Sequence, residues 1–216
     1  MKHAVPLPAD LVDGYQTWKK QGFERQAAHY LDLAENGQSP RAMVISCCDS
    51  RVQATEIFGA QSGDFFLHRN VANLVPPYAP NSDFHGTSAA VEYAVKALKV
   101  PHLIVLGHSQ CGGVQACYNM CTHGVAAAQS DFEFIGHWLE MLRPAYARLG
   151  ASSDETSRIV EMGQQGVLGS LENLMSFPFV AEAVGAKALS LHGLWHDIGS
   201  GTLFGYNAEA GIFEAQ

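Results

Sequence analysis

Apolar residues recur along this chain at two different spacings, and the alternation between them reads as helices arranged around a sheet. Over residues 8 to 35, Leu11, Tyr15, Trp18, Phe23, Ala27, Tyr30, Leu31 and Ala34 fall mostly three and four apart and Gly37 follows as a stop, which predicts a helical arm broken near Gly22. Met43-Val44-Ile45-Ser46-Cys47 is a short apolar run between Pro40 and the polar triplet Asp49-Ser50-Arg51, as expected of a buried parallel strand. Phe65-Phe66-Leu67-His68 predicts a second strand after Gly63. Gly86 opens a helix from Thr87 to Lys99 that carries Ala90, Val91, Ala94, Val95 and Leu98 on one stripe, and Pro101 ends it. The run from His102 to Gly107 is the strongest strand signal in the chain. Residues 130 to about 179 read as helical, and residues 188 to 195 and 202 to 206 as late strands that suit a hairpin.

Strand, helix and strand repeated in this way predict an α/β fold: a central, mostly parallel sheet flanked by helices. One domain over residues 1–216 is expected, made of the helical arm 1–36, a core 37–125, and helices with late strands over 126–216. The arm carries Trp18, Phe23 and Tyr30 with little place in a compact sheet domain, so it is expected to pack on a partner subunit.

Composition narrows the partners. At 216 residues the chain can bury one substantial core, and 47% apolar with 16% charged residues is ordinary for a globular domain. A formal charge of -8, with 13 scattered Lys and Arg, argues against nucleic-acid or anionic-membrane surfaces. No stretch approaches the roughly 20 apolar residues of a membrane span, and Met1 to Tyr15 lacks the apolar core of a signal peptide, so a cytoplasmic location is expected. The five cysteines, Cys47, Cys48, Cys111, Cys117 and Cys121, are odd in number and crowded into two regions, which favours reduced thiols over a disulfide framework.

Two clusters carry the chemistry. Cys47-Cys48-Asp49-Ser50-Arg51 follows the first predicted strand, and His108-Ser109-Gln110-Cys111 follows the strongest one. In a parallel sheet, ligands gather beyond the carboxyl ends of the strands where the strand order reverses, so the clusters can meet there. Two thiolates and an imidazole make a soft tetrahedral site for zinc with its fourth position unfilled, while Gly112 and Gly113 let the backbone approach closely. A closed structural zinc would normally use C-x-x-C knuckles, and a thioredoxin-like redox pair also needs C-x-x-C; neither is present. An open, catalytic zinc site is the leading reading.

The spacing C-x-D-S-R, then H-x-x-C-G-G about 60 residues later, resembles the β-class carbonic anhydrases, in the plant-like, constitutively open form. His68-Arg69-Asn70-Val71-Ala72-Asn73-Leu74-Val75-Pro76-Pro77-Tyr78 and Glu92-Tyr93-Ala94-Val95 extend the likeness. The resemblance implies zinc bound by Cys47, His108 and Cys111, with Asp49 and Arg51 as a carboxylate–guanidinium dyad that assists the metal's water. It implies a carbonate dehydratase, in which zinc-bound hydroxide attacks CO2 to give bicarbonate and a proton. It further implies that Phe66, Val71 and Tyr93 form a greasy substrate wall, partly from a neighbouring subunit, that Gln38 and the Gly112 amide contact the bound oxygen species, and that the enzyme is a homodimer or homotetramer. Family members that close at low pH, with the Asp on the metal, have a Trp three residues before the first ligand; here that position is Val44. The open form, with Asp49 on Arg51, is therefore expected.

The remaining residues are read more plainly. Cys117 and Cys121, four apart on a helix beginning near Gly113, read as packing, and Cys48, on the strand face opposite Cys47, as a small buried hydrophobe. Ten histidines offer no single proton shuttle. Two other functions fit the same ligands: hydrolysis of carbon disulfide or carbonyl sulfide, and a non-catalytic zinc-binding protein, for which Asp49 and Arg51 would be superfluous.

Overall fold

The computed structural model describes residues 3–81, 85–124, 133–151 and 154–216, so the expected helical start at residues 130–132 lies outside the described residues. The chain folds as two compact units, Met1–Ser39 and Pro40–Gln216.

The first unit is the helical arm. Helix α1 spans Ala9–Trp18 and α2 spans Ala27–Asn36, joined by a wider turn over Lys19–Phe23 and a tighter one over Glu24–Gln26. The wide turn contains Gly22, where the sequence predicts a break, and a Cβ there would stand 2.9 Å from the Trp18 indole. Trp18 packs on Tyr15, Phe23 and Tyr30, the last edge-on at 6.0 Å between ring centroids. No residue of these helical segments is buried, and Leu11, Trp18 and Leu31 are 55%, 45% and 58% exposed.

The second unit is built on a six-stranded sheet of order β2-β1-β3-β4-β5-β6. Its strands are β1 Ala42–Cys47, β2 Phe65–Asn70, β3 His102–His108, β4 Ser190–His196, β5 Leu203–Asn207 and β6 Ile212–Ala215. The first four run parallel, and β5 and β6 are antiparallel additions. Every residue of β1 is buried, which explains why its sequence is apolar without alternation. Around the sheet lie α3 (Ala54–Ile57), α4 (Gly86–Glu92, continued by a wide turn over Tyr93–Ala97), α5 (Gly112–His123), α6 (Ile135–Leu139), α7 (Arg143–Ala147), α8 (Glu155–Met175) and α9 (Pro178–Gly185).

Helix α8 is seated close to β4 because it carries Gly163, where a Cβ would lie 2.2 Å from the Trp195 ring, and Gly166 lets the turn before α7 approach the same helix, since a Cβ there would lie 2.7 Å from Leu142. Met43, Ile45, Leu103, Val105, Val167, Leu174 and Trp195 form the core on this side. Chain order places β2 on one side of β1 and β3 on the other. The order therefore reverses between β1 and β3, and the crevice for a ligand opens at their carboxyl ends.

Three features differ from the sequence reading. The helical stretch up to residue 179 is a series of short helices before α8, with Pro144 at the start of α7. The last strand, β6, lies beyond the strands that the sequence predicts, because Ile212 and Phe213 are its only large apolar residues. Cys48 is exposed rather than buried: β1 ends at Cys47, so the alternation of faces does not continue to the next residue. Among the described residues, no helix is long and apolar enough to cross a membrane.

Candidate metal centre

β1 and β3 are registered with Ser46 beside Leu106, so Cys47 and His108 arrive together at the crevice. Beyond His108 the chain turns through Gln110, in the left-handed region at φ 58°, and Cys111 precedes the first turn of α5. The sulfur atoms of Cys47 and Cys111 and the free nitrogen of His108 all lie within 4.8 Å of one another. All three residues are buried.

The donor set fits a tetrahedral ion. The two sulfurs are 3.9 Å apart, too far for a disulfide and close to the ~3.8 Å edge of a tetrahedron with metal–sulfur bonds of about 2.3 Å. The His108 ring is committed on one side, its Nδ1–H donating to the Ser109 carbonyl at 2.9 Å. That bond fixes the tautomer and leaves Nε2 as a lone-pair donor, buried and without a hydrogen-bond partner. A buried acceptor left open in this way, facing two thiols, is what a soft divalent ion satisfies.

The surroundings favour sulfur as an anion. The Ala72 amide donates to Cys47 Sγ at 3.3 Å, from a turn over Val71–Asn73 in which Ala72 and Asn73 are left-handed, at φ 64° and 50°. A hydrogen bond from Cys111, helped by His108 and by the amides of Asp49 and Ala72, pulls the Cys47 thiol down to about 4 against the opposing effect of burial. Cys111, which shares that hydrogen bond, keeps the proton and is pushed upward, although the Val114 and Gly113 amides work the other way.

Asp49 lies beside the cluster, its Oδ2 4.0 Å from His108 Nε2. Arg51 grips it through two parallel bonds, Nε to Oδ1 at 2.9 Å and Nη2 to Oδ2 at 2.7 Å, and the Arg51 amide adds a third at 3.0 Å. This pairing, chiefly the guanidinium hydrogen bonds, holds the Asp49 carboxyl far below the usual carboxylate range. Arg51 is fixed in turn by the Gln110 carbonyl at 3.1 Å.

The expected pocket residues divide. Val71 packs in the same cluster as Cys47 and Cys111, and Gly112 is exposed at the start of α5. Phe66 and Tyr93 stack on each other with centroids 5.7 Å apart, and Phe66, paired with Met43, packs on the core cluster of Ile45 and Val105 instead. Gln38 is an exposed residue of the first unit. Cys117 is buried against the Leu139 carbonyl, and burial raises its thiol to about 12, which agrees with packing.

Sequence reasoning assigned no role to several residues that shape the site. Ser109 ties the turn after β3 to the one after β4, donating its amide to His196 and accepting the Ile198 amide at 3.0 Å. Trp138 Nε1 donates to the Val71 carbonyl at 2.8 Å and so braces the strained turn under Cys47. Arg69 clasps the loop after β1. Its signal was visible, an arginine at the end of an apolar strand, but its targets are peptide carbonyls, which a sequence does not mark.

An α/β sheet with a cysteine–histidine–cysteine centre at its switch point and a carboxylate held off by arginine defines a metalloenzyme class. The family model described as carbonic anhydrase matches residues 42–203, and the chain belongs to that family. It is of the β class. Beta carbonic anhydrase 3 of Arabidopsis thaliana is 33% identical over 195 residues, 89% of this chain and 74% of that protein. Beta carbonic anhydrase 5, chloroplastic, of the same plant is 35% identical over 191 residues, 87% of this chain and 61% of that protein. Among solved structures, the β-carbonic anhydrase CcaA aligns with a TM-score of 0.87 at 29% identity, over 96% of this chain and 91% of that one. A β-carbonic anhydrase from Sordaria macrospora, one of two described as tetrameric, aligns with a TM-score of 0.77 at 32% identity, over 92% and 95%.

Proposed function

We propose that this carbonic anhydrase hydrates CO2 reversibly to bicarbonate and a proton at a zinc ion held by Cys47, His108 and Cys111, in the constitutively open form. The observation that carries the reading is the open, buried His108 Nε2, set against two thiols and 4.0 Å from a carboxylate committed to arginine. Zinc bound there supplies a Lewis acid that acidifies water near neutral pH, a chemistry of which carbonic anhydrase, in a three-histidine version, is the usual illustration.

The chain's own residues do the rest. Two cysteines cancel the ion's charge, so water at such a centre is acidified less than at three neutral imidazoles and needs help from its neighbours. Asp49 Oδ2 accepts a hydrogen bond from the attacking water and orients it, and Arg51 keeps that carboxylate ionised and off the metal. Val71 offers CO2 an apolar wall with no donors of its own. The Gly112 amide contacts the oxygens of the bound species.

Phe66 and Tyr93 act, in this reading, on the metal centre of a second copy, because in their own chain Phe66 packs on another core cluster and Tyr93, half exposed, stacks on Phe66. A homodimer or homotetramer follows, with the arm packed on a neighbour. Its exposed aromatic and aliphatic residues, and the tetrameric state named for the Sordaria proteins, support this.

Metal analysis together with stopped-flow CO2 hydration tests the proposal. Wild type should bind one zinc per chain, and Cys111→Ser should lose zinc and activity together. Active wild-type protein free of zinc, or Cys111→Ser protein that keeps both, refutes it.

A further inference from the structure

We propose that Arg69 is a positioning residue of the metal centre, holding in one guanidinium fork the loop that carries both Cys47 and Asp49. The strands β1 and β2 are registered with Ser46 beside Arg69 and Cys47 beside Asn70, so the Arg69 side chain emerges where that loop departs. Its Nε donates to the Cys47 carbonyl at 2.8 Å. Its Nη2 donates to the carbonyls of Asp49 at 2.7 Å and Val52 at 3.0 Å, and Nη1 reaches Gln53 Oε1 at 3.2 Å.

Three peptide carbonyls aimed at one point repel one another as dipoles, and that loop shape is stable only around a cation with several directed donors. Arginine alone offers five N–H groups in a rigid plane; lysine brings the charge without the fork. Two of the three carbonyls it holds belong to the first sulfur ligand and to the residue whose carboxylate faces His108. Arg69 touches neither the sulfur nor the carboxylate, so its influence passes through the backbone. The same loop has a second tether, since the Cys48 amide donates to the Asn70 carbonyl at 3.0 Å, and that bond pins only its first residue.

The inference rests on the zinc reading of Cys47, His108 and Cys111. Its test uses full-length wild type, Arg69→Met and Arg69→Lys, and compares zinc affinity by chelator competition, the visible spectrum of the cobalt(II)-substituted protein, and the thermal stability of the metal-free protein. Groups outside the ligand set typically change metal affinity by about 10- to 100-fold when removed. Arg69→Met is expected to weaken zinc by at least about tenfold and to shift the cobalt bands, and Arg69→Lys to recover only part of the affinity. A merely structural role would lower thermal stability and leave the cobalt spectrum unchanged. Should Arg69→Met not fold, Arg69→Lys decides: zinc affinity and cobalt bands equal to wild type overturn the proposal, and a loss in both upholds it. Wild type that binds no zinc would instead sink the zinc reading, so the two failures are distinct.

Discussion

Asp49 and Arg51, two residues apart, meet through parallel hydrogen bonds of 2.9 and 2.7 Å, and this pairing leaves Oδ2 4.0 Å from His108 Nε2. The pairing depresses the Asp49 pKa below its ordinary value of 3.8. A depressed carboxylate stabilises the fold fully above its unfolded-state pKa and loses that contribution as pH falls through the folded-state value. The dyad is therefore ionised throughout the neutral range, and an acid limb in the activity profile above about pH 5 belongs to some other group. Asp49→Asn is expected to retain most of its zinc, to lose activity by at least about tenfold at every pH from 6 to 9, and to leave the position of any acid limb unchanged. Thermal melts should show the stability gap between wild type and Asp49→Asn narrowing below about pH 4. Full activity in the variant removes the carboxylate from the mechanism.

Cys47 and Cys111 form an asymmetric thiol pair. Cys47 is drawn down to about 4 by the hydrogen bond from Cys111, while Cys111 is held up by the same bond and by burial. The metal-free protein at neutral pH should show one thiolate in its ultraviolet absorbance that vanishes in Cys47→Ser. Absorbance equal to that of the Cys47→Ser protein would mean that both sulfurs are protonated and that the pair does not prepare the site for a cation.

Cys48 stands beside Cys47 and takes no part in the Cys47–His108–Cys111 cluster. It is exposed, while Cys47, Cys111 and Cys117 are buried. Cys48→Ser should keep zinc content and CO2 hydration at wild-type levels and abolish the fastest phase of thiol labelling in the native protein. Loss of zinc would show that the strand is read one residue out of register.

What the sequence made legible followed from periodicity and from position at strand ends. The continuous apolar runs of β1 and β3 locate themselves, and the rule that crevices open at carboxyl ends brings Cys47 and His108 together before any coordinates exist. Cys48 departs from the two-residue alternation because β1 ends at Cys47 and the chain turns there toward Val52 under the Arg69 clasp, a boundary that side-chain pattern does not mark. Arg69, Trp138 and Ser109 stayed silent for a related reason: each acts on peptide groups of residues distant in the chain. The Val71–Asn73 turn was equally hidden, because Ala72 and Asn73 have no glycine to announce a left-handed backbone.

The close seating of α8 on the sheet behind His108 can be tested with two glycines of the same helix. A Cβ at Gly163 would strike the Trp195 ring at 2.2 Å, whereas one at Gly169 meets nothing within 4 Å. Alanine is favoured over glycine in a helix by about 1 kcal/mol, and overpacking a full core costs about 1–3 kcal/mol. At Gly163 the clash outweighs propensity, because Trp195 is only 4% exposed and has nowhere to move. Chemical denaturation should find Gly163→Ala destabilised and Gly169→Ala unchanged or more stable by up to about 1 kcal/mol. Equal stability of the two variants would mean that the helix shifts freely on the sheet.

The division of the pocket residues leads to a test of shared sites. Val71 packs with Cys47 and Cys111 of its own chain, while Phe66 sits beside Met43, four residues before Cys47 on the adjacent strand, and stacks on Tyr93. If Tyr93 serves a second copy, a subunit with an intact wall and no metal can complete a subunit with an intact metal site and a broken wall. Cys111→Ser and Tyr93→Ala proteins, each weak alone, should then gain activity when unfolded and refolded together, above the sum of the two refolded separately. Only a mixed assembly contains a pocket in which both halves are sound. If each pocket were completed within its own chain, every site in the mixture would keep one defect and mixing would add nothing, which would return Tyr93 to the role of a packing residue.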